Sequence, residues 1–501
     1  MPACLSASLA TSGSTFIIMK LGILLLMLCA AFLTGCHKQG DLPHDARTAE
    51  VDRQVRAKWG KGLDELPTVT LVMLSAHNEN IMDEFQWAFS LDHALKYGQK
   101  VVFDRREVGG GGTSMETALL NIYQRGQTPG FDILWGGGDF PYVKLARGVK
   151  DESTNQPTGP LLEKLVLSPD VLANTPAEFA GMALLDKDHR WIGSTLSGFG
   201  IIYNKGILAK CGRTPPRNWQ DLGDDRFHGL LELADPLQSG SAAAAYQTIV
   251  VSASDWPSGW ARLMMVLGNA KRYADSSGSA ANAPALGESP VATCIDFYGA
   301  MRVVEAPDQL EYFTPAGESI FTPDPIAILK GTPHPELAQR FVDFVLSQRG
   351  QALWALQVGQ PDGPVRKALG RQPIRRDVYT TCGQMLPFIL DPYAAGKAIV
   401  LTPQKKAVNF TVLRELVGAA AIANRQGLLD AKAALIRSGH RADLEAEFVA
   451  LPANVATLDA MKQTAAKLSD KAALDTLRTD WQAFFKSKYE RIQAASKEAR
   501  P

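Results

Sequence analysis

Small and hydroxylated residues gathered at the ends of strand-like runs are what this chain offers for chemistry. The stretch RWIGSTLSGFGIIYNKG, residues 190–206, interrupts an apolar run with Gly193, Ser194, Thr195, Ser197, Gly198 and Gly200. A strand loses packing and entropy by carrying glycine, so a bend, a close backbone approach or a ligand is expected there. Ser75, His77 and Asn78 follow one β-rich run, Thr113 and Ser114 follow a row of glycines, and Trp135 and Gly136 stand where another run ends. Further on, Ser239-Gly240-Ser241 and Ser277 lie ahead of small-residue segments, and Asp296 and Tyr298 close the run VATCIDFYG. Hydroxyls and free backbone N–H groups in such loops suit a compact oxyanion. Trp135 or Tyr298 over a cation, with Asp139 or Asp296 nearby, suits an amine instead. The two chemistries need opposite charges, and a zwitterion would use both.

The elements that must position these residues follow from patterning. TVTLVMLS, residues 68–75, reads as a buried strand, and the segment after it carries Ile81, Phe85, Phe89 and Leu95 near helical spacing. KVVFDRREV is a second strand, a helix with Ser114 as its N-cap follows, and FDILWGGGD is a third strand. The βαβαβ alternation implies an α/β fold with a parallel sheet. Ligands bind beyond the carboxyl ends of such strands, so residues 75–78, 109–114 and 135–139 should converge on one rim. Helix N-termini there offer free N–H groups, and glycine lets the backbone approach a ligand. The later Ser/Gly loops point to a second α/β unit, whose mouth faces the first across a cleft. The strand through 193–200 would cross between the two, as hinge and ligand wall together.

The N-terminal MKLGILLLMLCAAFLTGC places Lys20 before an apolar run that is too short to span a bilayer. Leu21 to Phe32 reads as the core of a lipoprotein signal peptide over residues 1–36, with Met19 as the alternative start. Leu33-Thr34-Gly35-Cys36 resembles a bacterial lipobox, so Cys36 is expected to carry lipid and tether the protein to a membrane. Residues 37–66 read as a polar tether. Lys plus Arg and Asp plus Glu both number 52, so no global field favours nucleic acid. Cys211, Cys294 and Cys382 remain after the leader, enough for one disulfide or none. GxSxG, HExxH, GxxxxGK[ST] and a GxGxxG after the first strand are all absent, which argues against an enzyme.

The order of these pieces resembles solute-binding proteins of bacterial ABC importers. The matching segments are VTLVMLSAHNENIMDEFQWAFS, GFDILWGGG, WIGSTLSGFGIIYNK, RNWQDLGDDRFHGLLELADPLQSGSA and FTPDPIAILKGTPHPELAQRFVDFVLSQRGQALWALQVGQP. The resemblance covers about residues 67–375. It implies a two-lobed type II periplasmic binding fold (a Venus flytrap), with lobe 1 at 67–197 plus 310–345 and lobe 2 at 198–309 plus 346–375. It also implies a monomer in the periplasm or at the cell surface that closes on a small solute, either ferric ion or its complex or a small oxyanion or zwitterion such as a phosphonate, and docks on a permease served by a separate ATPase. No cofactor is implied. A binding lobe for a sensor would share the same cleft. Iron-binding members of the family supply two adjacent tyrosines, whereas this chain has Asp296-Phe297-Tyr298; His77, Asp296 and Tyr298 would form at most a partial ferric site.

Residues 376–501 lie beyond the resemblance and read as a helical extension. Leu474, Leu477, Trp481, Phe484, Phe485 and Ile492 form an apolar stripe after Ser469 as N-cap. That stripe is expected to pack back on the body, the alternative being a face for a partner protein.

Overall fold

A computed structural model describes residues 42–498, apart from 44, 107–111, 387, 388, 390, 395 and 469. The leader with Cys36, most of the glycine run before Thr113, and Ser469 lie outside the described residues. The strands in chain order are β1 (Thr68–Ser75), β2 (Lys100–Arg106), β3 (Ile133–Trp135), β4 (Glu178–Phe179), β5 (Met182–Ala183), β6 (Ile192–Asn204), β7 (Leu231–Ala234), β8 (Ala270–Ala274), β9 (Val291–Ile295), β10 (Leu310–Phe313), β11 (Phe321–Ile328) and β12 (Gln372–Pro373).

β1 pairs in parallel with β2 and β3, which is the expected first unit. β7 pairs in parallel with β8 and β9, giving the second. The thirteen-residue β6 joins them, because residues 192–198 pair with β11 whereas residues 199–203 pair with β9. Every residue of β6 is buried, which explains why its small residues do not signal an exposed loop. Helices cover both faces. One of them, Glu79–Tyr97, starts where the Asn78 carboxamide accepts Ile81 N–H and stops at Gly98 in the left-handed region.

The first core gathers Leu71, Phe85, Phe103, Trp135, Phe341 and Trp354. Leu353, Trp354 and Leu369 belong to this core, so the segment 346–375, placed by its sequence in the second lobe, packs with the first instead. Conversely β10, which the sequence boundaries put in the first lobe, pairs with the far end of β6 and packs through Leu310 against Ile202 and Ala292. The reason is topological: both returning segments pair with a strand that belongs to both halves. The polar tether also differs from expectation, because Ala46–Trp59 is a helix capped by Asp45. Val51 and Val55 pack with Leu63, Leu66, Leu91 and Ala94. Two valines on one face sufficed to dock a segment that composition alone marked as solvated.

The extension folds onto the second unit. Trp260, Leu263 and Leu267 share one core with Leu416, Leu435, Phe448, Trp481 and Phe485. The apolar stripe of the helix Lys471–Glu498 is therefore largely consumed inside the molecule. Cys211, Cys294 and Cys382 are all free.

Candidate functional site

The two units meet over the middle of β6, and a charged cluster sits there. Arg371, immediately before β12, is 2% exposed. Its Nη2 donates to Ser197 Oγ at 2.6 Å and to Asp324 Oδ2, while Nη1 lies 3.4 Å from His77 Nδ1. The guanidinium also lies over the Phe297 ring, 4.4 Å from its centroid. Asp324 accepts a second bond from Gly138 N–H at 2.7 Å, so the ion pair is fixed to the glycine loop after β3. Gly136, Gly137 and Gly138 all have φ between +78 and +89, a conformation that side chains rarely adopt. A Cβ at Gly136 would also stand 2.9 Å from the His77 ring, so this glycine lets the imidazole in.

Asp296 completes the floor from the second unit. It opens the helix Asp296–Glu305 and accepts Gly198 N–H and Phe297 N–H, each at 2.8 Å. Burial pushes its carboxyl up to about 6, despite the opposing effect of those bonds and of Arg371. Asp139 is raised to about 6 as well, chiefly by desolvation. Desolvation would raise Asp324 too, yet Arg371 and the bonds it accepts bring it below the usual carboxylate range. His77 is pushed down to about 3 by burial and by Arg371, and is neutral at physiological pH.

The predicted residues divide clearly. Ser75 Oγ donates to Trp135 O at 2.9 Å and accepts His77 N–H, and the Trp135 ring stands edge-on to His77 with centroids 4.5 Å apart. Ser75, His77, Trp135, Gly136, Ser197, Gly198 and Asp296 are thus drawn into one assembly. From the second unit, Ser239 Oγ accepts Ser277 N–H, and Ser277 Oγ accepts Ile295 N–H beside Asp296. Tyr298 packs against Phe297 with the rings tilted at 41° and their centroids 4.2 Å apart, next to Gly278. Gly240 is exposed with open space around it, and Ser241 is half-buried on the same first turn.

Three expectations take other roles. Asn78 is occupied as a helix cap. Ser114 is not a cap, because its helix already begins at Gly112; nothing is described of the Thr113 side chain. Ser239 likewise caps its helix, accepting Ala242 N–H. No group of His, Cys, Asp and Glu among the described residues is arranged to hold a metal ion, and Arg371 stands against the His77 member of the suggested ferric set.

Sequence reasoning missed Arg371 and Asp324. Asp324 did leave a trace, since Pro323 and Pro325 flank it inside a strand. Proline in a strand interior marks a bulge, and the register indeed shifts between Asp324 and Pro325. Arg371 left none, because the 174 positions separating it from Ser197 are bridged only by tertiary folding.

Two α/β units joined by a crossing strand, with polar groups converging at the junction, define a small-molecule binding architecture. Residues 159–373 match the model of a bacterial extracellular solute-binding protein family. The fold is that of two-lobed type II periplasmic binding proteins with added C-terminal helices. A structure of the periplasmic binding protein AfuA from Actinobacillus pleuropneumoniae, with fructose-6-phosphate bound, aligns at TM-score 0.50 and 21% identity, covering 72% of this chain and 96% of that one. The phosphoglycerate transport regulatory protein PgtC of Salmonella typhimurium is 28% identical over 32% of this chain and 39% of its own length. A putative 2-aminoethylphosphonate-binding periplasmic protein of Salmonella paratyphi A is 25% identical over 43% of this chain and 64% of its own length. This chain thus spans well under two thirds of the Salmonella typhimurium relative. No helix among the described residues is long and apolar enough to cross a membrane.

Proposed function

We propose that the protein is the substrate-binding component of an ABC importer, anchored to a membrane through lipidated Cys36, and that it captures a small solute bearing an ammonium group. A zwitterion such as an aminoalkylphosphonate fits this description best. The carrying observation is the charge balance at the junction. Arg371 is already paired with Asp324, His77 is neutral, and Asp296 and Asp139 are left as acids titrating near 6. At neutral pH the cluster therefore carries an excess of negative charge, which a cationic group would offset. The exposed Gly240 and half-buried Ser241, on the first turn of a second-unit helix, suit the anionic end. The amine and phosphonate of the aminoethylphosphonate named for a relative carry these two charges.

The test is a thermal-shift series at pH 7.5 with 2-aminoethylphosphonate, ethylamine, methylphosphonate and ferric citrate. Binding to the native state alone raises the melting temperature by mass action. The amino compounds should stabilise the protein, with the zwitterion strongest. Stabilisation by methylphosphonate or ferric citrate alone would reject the ammonium reading. Replacing Cys36 with serine should release the protein from the membrane fraction, and retention there would reject the anchor.

A further inference from the structure

A second space lies behind the junction, on the other face of the crossing strand. Side chains alternate along β6, so Ser197 and Gly198 face opposite ways. A Cβ at Gly198 would meet the Phe321 ring at 2.9 Å, and one at Gly200 would meet the Tyr312 ring. Phe321 and Tyr312 wall a cavity of about 440 Å³. That volume lies in the range, roughly 300–1,000 Å³, of small-molecule sites.

The opposite wall is the helix Asp296–Glu305. Ala300, Val303 and Val304 line the cavity at helical spacing, an apolar stripe that would ordinarily be buried against another element. Water in such a space finds few partners. The polar groups are few: Asp296, Thr314, Gln372, Asp391 and Lys397. Gln372 is 7% exposed, lines the cavity, and its carboxamide oxygen has no hydrogen-bond partner. A buried acceptor without a donor costs free energy, so a donor is called for. Asp296 stands at the base, and Asp391 and Lys397 stand at the rim, so carboxylates outnumber cations.

From these observations we infer a second binding site, on the other face of the crossing strand from the cleft and sharing Asp296 with it, for a small apolar molecule ending in a primary ammonium group. The body of the ligand lies on Val303 and Phe321, and its ammonium donates to the Gln372 oxygen and faces the carboxylates. Asp391 and Lys397 come from the extension beyond residue 373, where the family match ends. The added segment thus supplies part of the rim, whereas Asp296 is common to this site and the cleft. Its walls come from the second-unit helix, from the crossing strands and from the returning β12 segment, so an occupant touches both halves at once.

The test is calorimetry on the purified protein with phenethylammonium, 2-phenylethanol and 3-phenylpropionate as probes. Phenethylammonium should bind, with the alcohol weaker and the acid at least tenfold weaker. Val304→Trp, at a half-exposed wall position, should weaken phenethylammonium at least tenfold, and Gln372→Leu should weaken it several-fold. In the Asp139→Asn background, which weakens ammonium binding in the cleft, the loss caused by Val304→Trp should persist in full. Thermal melts of each variant separate lost binding from lost folding, and circular dichroism checks that Val304→Trp retains the native helix content. Equal or tighter binding of the acid, no binding by any probe, or indifference to Val304→Trp in the Asp139→Asn background would each overturn the site.

Discussion

On one face of β6, Ser197 accepts from Arg371, which in turn pairs with Asp324 and lies beside His77. On the other, Gly198 and Gly200 carry no side chain and leave room for Phe321 and Tyr312 beside an apolar cavity. One strand thus supports a filled polar cluster and an open apolar space, separated by a single backbone. The contrast shows that glycine here serves close packing. Neither Gly198 nor Gly200 has positive φ, so their backbone would accept another residue while their neighbours would not.

The largest effect should come from the polar face. Arg371→Met strands the buried Asp324 and should cost about 3–5 kcal/mol, the usual penalty for breaking a buried pair from one side. Urea denaturation measures it, and adding Asp324→Asn should recover most of the loss. A cost below about 1 kcal/mol would mean that the two faces differ less than their contacts imply.

Asp296 lies between the faces and titrates. Its carboxyl, raised from 3.8 to about 6, keeps its proton in the folded state after the unfolded chain has lost it. Stability from this group is therefore present below about pH 4 and lost as pH rises towards 6. Asp296→Asn should gain on the wild type by about 2–3 kcal/mol between pH 4 and pH 7, since each tenfold difference in proton affinity between the folded and unfolded chain is worth about 1.4 kcal/mol. An unchanged gap across that window would show a well-hydrated carboxylate. Binding of an ammonium ligand in the cleft should likewise tighten from pH 5 to pH 7.5, as Asp296 and Asp139 ionise.

The glycine face predicts a graded response. Gly200→Val puts a Cβ 2.3 Å from Phe313 O, a backbone atom, and should cost about 1–3 kcal/mol through overpacking. Gly198→Ala meets only the Phe321 ring and should cost less, because a ring can turn. Gly198→Val is expected to weaken ligand binding without unfolding the protein, and unchanged affinity in calorimetry would remove the hinge reading. The smallest effect is Ser277→Ala, which leaves Ile295 N–H without its acceptor for about 1 kcal/mol in a thermal melt.

The parallel units were legible because a buried strand is a continuous apolar run and the helices between them carry their own caps, as Asn78 and Ser239 do. Those same caps show why the site was harder to read. A serine before a helix looks identical whether its hydroxyl accepts a backbone N–H or a ligand's proton, and only the structure tells that Asn78 is committed. The Ala46–Trp59 helix was misjudged for a related reason, since Val51 and Val55 amount to a weak stripe until a docking surface exists for them.

Sequence alone determined the local matter: strand and helix alternation, glycines at crowded or left-handed positions, and an apolar stripe in the extension that required a partner. Each follows from interactions among residues near in the chain. Tertiary structure alone decided that Arg371 reaches Ser197 and Asp324, that the stripe buries against Trp260, and that β12 and β10 attach to opposite ends of one strand. Charge pairing and close packing act through space over a few ångströms, so they are fixed only once distant segments have been brought together.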